Sequence, residues 1–195
     1  MNIITKRLPM ILAGFINDSE ARKLRIDAST HAIETISYEH HELHGGSAYS
    51  IGISTTDLGA ETGDQLQLTF TTPNTAKWCH MLCNAYGSGE IYYTMREAPT
   101  GGMTGGTSVT PLNRNRNSSN VSIITDMKKE ATAATGGDLL DEQYVGAGTN
   151  RIAGNTRGTQ EWVLKANTIY AFRVYDTSAI QAYLHLNWYE HTDKD

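Results

Sequence analysis

Three histidines and two glutamates stand close together in residues 39–46, which read Glu-His-His-Glu-Leu-His-Gly-Gly. Neutral imidazole is the side chain that most often binds transition metals, so this density suggests a metal site. The spacing argues against one. The helical zinc motif H-E-x-x-H fails because His44 follows His41 one residue too early, and the two glycines would end a helix there. A cupin-type site needs two histidines separated by one residue, and that spacing is absent.

We therefore interpret His40, His41 and His44 as part of a polar strand end, with the imidazoles in hydrogen bonds at the surface or at a subunit contact. We predict that these histidines, together with Glu39 and Glu42, bind no structural metal, because their spacing matches no ligand set and glycines follow them.

A second distinctive segment, residues 113–120, reads Asn-Arg-Asn-Arg-Asn-Ser-Ser-Asn. Asn and Ser accept the tight backbone geometries of turns and bond their own main chain, while arginine can grip a carboxylate with two parallel hydrogen bonds. We predict that this loop contacts a neighbouring subunit. A solvated loop that carries two charges is the alternative, and nucleic-acid binding is disfavoured because no run of lysines lies beside it. The residues proposed for the contact are Asn113, Arg114, Asn115, Arg116 and Asn117.

Patterns for catalysis are missing. The chain has no G-x-S-x-G nucleophile elbow and no G-x-x-x-x-G-K-[ST] phosphate loop, and nothing in it selects a pair of catalytic carboxylates. A hydrolase with two catalytic carboxylates stays open, because any two Asp or Glu side chains can meet in space, but our expectation is a protein that is not an enzyme and that needs no cofactor and no small-molecule substrate.

The two cysteines, Cys79 and Cys83, lie in residues 77–86, which have turn signals on both sides. In a strand they would share a face about 13 Å apart, too far for a disulfide, which needs Cα atoms within about 7 Å. In a helix they would sit one turn apart and could share a metal. We interpret them as small, buried, reduced hydrophobic residues.

Composition limits the class of protein. The 195 residues are 39% hydrophobic but only 19% charged, so the polar surface is rich in Thr, Ser, Asn and Gly, which suits strands and turns. With 16 basic and 21 acidic residues, the net charge of −5 disfavours nucleic acid and membrane surfaces as partners. The apolar run at residues 8–12 is short and contains Pro9, so we expect no secretory signal and synthesis in a cytoplasm.

Alternation of apolar and polar residues predicts most of the strands. Residues 64–71 place Leu66, Leu68 and Phe70 on one face, and residues 181–191 place Leu184, Leu186 and Trp188 on one face. We predict an antiparallel β-sandwich with these six residues in its core. Further predicted strands are residues 90–96, 120–126 and 168–175, with a hairpin connection at 176–180 and one short helix at 18–24.

Two Gly-rich stretches, residues 99–106 and 135–158, are expected to form long loops that carry a binding role or stay mobile. The first residues have mixed polarity and little periodicity. The sequence therefore predicts an extended N-terminal arm at residues 1–30 and a single β-sandwich domain at residues 31–195.

Five segments in order resemble the head decoration, or cement, proteins of tailed bacteriophages. Each motif is weak alone, but the ordered set is fairly specific and spans about residues 25–191, nearly the length of the chain. The resemblance implies a β-sandwich or jelly-roll-like fold, a place on the capsid surface and no enzymatic activity, and it carries over no catalytic residues. The segments are residues 31–49 (HAIETISYEHHELHGGSAY), 72–78 (TPNTAKW), 113–118 (NRNRNS), 161–170 (EWVLKANTIY) and 188–191 (WYEH).

The functional expectation is a virion structural protein that binds and stabilises the head shell, with the major capsid protein as partner and a homotrimer as its form. One alternative is a head-fibre or tail-tip protein that binds host surface glycans, although the Gly-rich loops offer only one aromatic residue, Tyr144. A metal-dependent enzyme of cupin type is the other.

Overall fold

In the computed structural model, residues 13–15, 21–23, 37–58, 65–129, 132–146, 160–176 and 180–192 are described. The chain falls into two units, residues 1–38 and 39–195. In the first, strands β1 (Ala13–Phe15) and β2 (Ala21–Lys23) pair antiparallel. The helix predicted at residues 18–24 is therefore wrong for residues 21–23, where strand pairing replaces helical bonds; its other residues lie outside the described ones. The predicted boundary at residue 30 stays a prediction.

The second unit begins with one short helix and continues as strands in two antiparallel sheets. Helix α1 (Tyr38–Gly45) leads directly into β3 (Ala48–Leu58). The six-stranded sheet has the order β10-β6-β12-β4-β9-β7, and the five-stranded sheet has the order β11-β5-β13-β3-β8. The remaining strands are β4 (Gln65–Thr71), β5 (Lys77–Gly87), β6 (Ile91–Glu97), β7 (Thr107–Ser108), β8 (Leu112–Asn113), β9 (Lys128–Lys129), β10 (Asp138–Val145), β11 (Glu161–Leu164), β12 (Ile169–Tyr175) and β13 (Ile180–Thr192).

The two sheets pack face to face, which confirms the predicted β-sandwich. The inner faces supply one continuous hydrophobic core, and all six residues that alternation placed there are buried. Burial of such side chains is the main favourable term in folding, at roughly 25 cal/mol per Å² of apolar surface. The predicted core residues are Leu66, Leu68, Phe70, Leu184, Leu186 and Trp188.

The segment with the two cysteines is a strand, β5, which lies between β11 and β13 inside the five-stranded sheet. Its inner face carries Cys79, Met81, Cys83 and Ala85, all buried. Both cysteines are free thiols, as interpreted from the sequence. Burial raises the pKa of both thiols, that of Cys83 to about 12, so they stay protonated at neutral pH.

The hairpin predicted at residues 176–180 is wrong, because the strands on either side of it belong to different sheets. Strand β12 lies between β6 and β4, whereas β13 lies between β5 and β3. Both edges of each strand are therefore taken by partners distant in sequence, and the connection crosses from one layer to the other.

Residues 120–126 do not form the predicted strand. This segment is irregular, and its polar groups are satisfied by a side chain in place of a strand ladder: the Ser122 hydroxyl and the Ile123 amide both donate to the carboxylate of Glu190. The side chain of Ile124 is still buried in the core, so this segment is fixed both by its bonds to Glu190 and by the packing of Ile124.

The Gly-rich stretches are more ordered than expected. Residues 100–104 run beside residues 132–135, and we call these two segments the ribbon. Within it, Thr100 and Gly101 exchange backbone hydrogen bonds with Thr135. Gly102 has a φ of 76°, and an added Cβ would overlap the carbonyl of Ala133. Residues 138–145 of the second stretch form strand β10, and residues 147–158 lie outside the described ones. The expectation of a long loop is therefore wrong for 138–145, whereas residues 99–106 form no strand and a binding role for them stays a prediction.

The ribbon covers part of the outer face of the six-stranded sheet. Gln67, which alternation places opposite the core, is fully buried there: its amide nitrogen donates to Thr132 O, and its oxygen accepts from Ala134 N. One amide thus binds two backbone groups of the ribbon, so β4 is buried on both faces.

Candidate functional site

The histidine cluster lies on helix α1, not at a strand end, and that part of the interpretation is wrong. Helix formation is favoured by Ser37 just before the first turn, Glu39 within the first turn and His44 in the last. The helix ends where the glycines predict. Gly46 takes a φ of 74°, its amide bonds Leu43 O, and the next amide, of Ser47, bonds Glu42 O. This is a Schellman ending, in which two orphan carbonyls of the last turn are satisfied.

The Asn-Arg loop folds on its own side chains. The carboxamide oxygen of Asn113 accepts from the amide of Asn115, and that of Asn115 accepts from the amide of Asn117. The hydroxyl of Ser118 accepts from the amide of Asn120. These are the local turns that Asn and Ser favour, so the composition of residues 113–120 specifies its own backbone path.

The loop and the helix, which are about 70 residues apart in sequence, meet at one backbone carbonyl. The oxygen of Gly46 accepts hydrogen bonds from Asn113 Nδ2 at 2.9 Å, Asn120 Nδ2 at 3.3 Å and Tyr49 Oη at 3.4 Å. The side chain of Asn115 also donates to His44 O at 3.0 Å. The two groups of residues selected from the sequence therefore form a single surface.

We call α1 together with residues 112–121 the helix–loop surface. Its arginines differ in what they contact. Arg114 Nη1 lies 2.8 Å from Glu39 Oε1, whereas Arg116 Nη1 donates to Asn113 O at 3.3 Å within its own loop and is exposed. His40 and His44 face each other with Nε2 atoms 3.0 Å apart, and the side chain of His41 is 68% exposed.

Two apolar side chains flank this polar surface. Val121 is 82% exposed and Leu112 is 56% exposed. Both are fixed in place, because Leu112 lies on edge strand β8, paired with β3, and Val121 O accepts from Tyr49 Oη at 2.9 Å. Exposed apolar residues beside Arg and His on an ordered backbone are typical of a protein contact surface.

A buried carboxylate binds the segment that directly follows residue 121, and sequence reasoning missed it. Glu190 is 1% exposed and accepts from Ser122 Oγ, Ile123 N and Trp188 Nε1. Burial raises its pKa, against the lowering effect of those hydrogen bonds. The only signal was that Glu190 shares a face with Leu186 and Trp188 in the alternation of β13.

A second polar cluster, also missed, lies on the other face of β13. His80 Nδ1 is 2.5 Å from Glu161 Oε1, and the same oxygen accepts from Tyr189 Oη at 2.8 Å. His191 Nε2 lies 2.8 Å from His80 Nε2. We call His80, Glu161, Tyr189 and His191 the outer-face patch. Cross-strand placement, which one sequence cannot show, brings these residues together from β5, β11 and β13.

Among the described residues, no group of three or more His, Cys, Asp and Glu side chains is arranged to hold a metal ion. No helix within that part of the chain is long and apolar enough to cross a membrane.

Comparison with known proteins gives no assignment: no protein-family model matches the chain, and no curated protein matches it significantly. The residues of this chain therefore carry the functional argument.

Proposed function

We propose that this protein is a virion structural protein of the decoration type, which binds the head shell of a tailed bacteriophage through the helix–loop surface. The observation that carries the proposal is the junction at Gly46, which joins the two segments with the most distinctive composition into one ordered, exposed surface. Both segments also belong to the set that resembles decoration proteins.

The chemistry of the surface suits a lattice partner. A protein that adds to a preformed shell gains affinity from modest contacts repeated by symmetry, so it needs a rigid patch with an apolar centre and hydrogen-bonding groups around it. Leu112 and Val121 supply apolar area, and Arg116 and His41 supply exposed polar groups. The homotrimer, the jelly-roll-like wiring and the major capsid protein as partner are further parts of the proposal.

The test is cosedimentation of the purified full-length chain with shells of its own phage that lack it. We expect saturable binding at a fixed ratio to the capsid subunits. Leu112→Ser should weaken binding roughly tenfold, because burial of a leucine contributes about 1.5–3 kcal/mol. Leu139→Ser is the matched control: Leu139 is 43% exposed on β10, in the six-stranded sheet, and its replacement should leave binding unchanged. Shells that take up no wild-type protein would refute the proposal.

A host-glycan binder is the second candidate, and one observation favours it. Tyr144 and Tyr92, both exposed, have ring centroids 4.8 Å apart, and Tyr175 stacks on Tyr92 at 5.3 Å. The single aromatic residue noted in the Gly-rich stretch therefore belongs to a row of three on the outer face of the six-stranded sheet. Binding to host-cell surface polysaccharide that Tyr92→Ala abolishes, with no uptake by shells, would select this function.

A further inference from the structure

The imidazoles of His80 in β5 and His191 in β13 turn their Nε2 atoms toward each other at 2.8 Å, with ring centroids 4.4 Å apart. We propose that this pair is a binding site for a divalent transition-metal ion, with Zn²⁺ as the best fit, held by the two Nε2 atoms and completed by water. Imidazole nitrogen suits Zn²⁺, Cu²⁺ and Ni²⁺, and Zn²⁺ accepts an open coordination position.

The spacing of the pair is close to that of a bound site. Two nitrogens that bind one tetrahedral zinc ion at about 2.0–2.1 Å lie roughly 3.3 Å from each other. The two rings therefore need to separate by about 0.5 Å, a side-chain adjustment that leaves the backbone pairing of β5 with β13 intact.

The surroundings of His80 are those of a metal ligand. Glu161 Oε1 lies 2.5 Å from Nδ1 of His80, so this carboxylate holds the Nδ1 proton and leaves the Nε2 lone pair directed at His191. Ligating histidines in proteins are oriented in this way, by a carboxylate on the ring nitrogen that the metal does not use. The ring of Tyr189 stacks on that of His80 at 4.7 Å and donates its hydroxyl to the same carboxylate, which fixes the orientation further.

Charge around the patch favours a cation. The carboxylate of Glu161 lies within the patch, against Nδ1 of His80 and the hydroxyl of Tyr189. Only 13% of the His80 side chain is exposed, so the attraction between a cation and this carboxylate is less screened than at the open surface.

The experiment is isothermal titration of ZnCl₂ into the full-length protein without a histidine tag, at pH 7.5. We expect one ion per chain. His80→Gln and His191→Gln should each weaken binding at least tenfold, and Glu161→Gln should weaken it about tenfold by freeing the ring of His80. His191→Cys should retain binding, because a thiolate also binds zinc. Far-UV circular dichroism of each variant checks the fold.

Two controls locate the ion. His40→Gln with His44→Gln removes the other histidine pair, on α1, and His185→Gln removes a histidine from the same face of β13; both variants should bind as wild type does. Zinc binding that disappears with the α1 pair and survives in His80→Gln would overturn the proposal. Absence of binding to the wild-type protein would do the same.

Discussion

Arg114 Nη1 lies 2.8 Å from Oε1 of Glu39, so a guanidinium expected to meet a neighbouring subunit is already bound within its own chain. The two side chains are 31% and 49% exposed, and such pairs contribute roughly 0.2–1 kcal/mol. Arg114 therefore joins the loop to helix α1 within the helix–loop surface, and Arg116 is the more exposed of the two arginines.

Gly46→Ala should destabilise the protein by about 1–2 kcal/mol. The φ of 74° is strained for alanine, and an added Cβ would overlap the side chain of Ser118. Urea unfolding measures the change. Gly45→Ala is the matched control, because an added Cβ there meets nothing within 4 Å, and alanine is the better residue in a helix. Equal effects of the two substitutions would show that Gly46 is not the junction described here.

The buried carboxyl of Glu190 should make stability fall as pH rises. Its folded pKa is raised from 4.5 by burial, so the folded state binds the proton more tightly than the unfolded state does. Stability from this group is complete below pH 4.5 and is lost as pH rises through the folded pKa. Urea unfolding of the wild type and Glu190→Gln between pH 4 and pH 8 measures it.

The difference between these two proteins isolates Glu190, because other titrating groups cancel in the subtraction. We expect the stability of the wild type, relative to Glu190→Gln, to decrease with pH. A relative stability that increases with pH would mean that the hydrogen bonds from Ser122, Ile123 and Trp188 outweigh burial.

Cys79 and Cys83 should resist thiol reagents in the folded protein. Both side chains are buried and their pKa values are raised, so little thiolate forms and little of it is accessible. Labelling with a chromogenic disulfide reagent at pH 8 should give two thiols per chain in 6 M guanidinium and fewer than about 0.2 without it, because labelling requires opening of the core. Rapid labelling of the native protein would contradict burial of β5 in the core.

Alternation could predict the sandwich because it depends on neighbours in sequence. In β4 and β13 the period of two places Leu66 and Trp188 inward without any knowledge of partners. The same reasoning failed for residues 120–126, whose Ile and Val content is typical of a strand. There the outcome was decided by Glu190, 67 or 68 residues away, which takes the donors of Ser122 and Ile123.

The candidate site was predictable only in part for the same reason. Composition selected the two segments that contain His40 and Arg114. The contact between these segments at Gly46 depends on the pairing of β3 with β8, which the sequence does not show. The outer-face patch gave no signal at all, since His80, Glu161 and His191 stand far apart in the chain and meet only across the strands β5, β11 and β13. A single polar residue on the outer face of a strand is normally solvated, so the sequence gives no reason to select it as part of a site.

Replacement of Arg114 and Arg116 separates the internal role of the helix–loop surface from its external one. Arg116→Ala should weaken shell binding roughly tenfold and leave the free energy of unfolding within about 0.5 kcal/mol, because its guanidinium is exposed and donates to Asn113 O within its own loop. Arg114→Ala should cost up to about 1 kcal/mol of stability through the lost pair with Glu39 and weaken shell binding less. The double variant should keep the circular dichroism of the β-sandwich while losing most attachment. Shells that hold the double variant as tightly as the wild type would exclude the arginine loop from the contact.

Light scattering of the wild type, free and released from shells, tests the proposed trimer. A strictly monomeric protein would exclude the trimer.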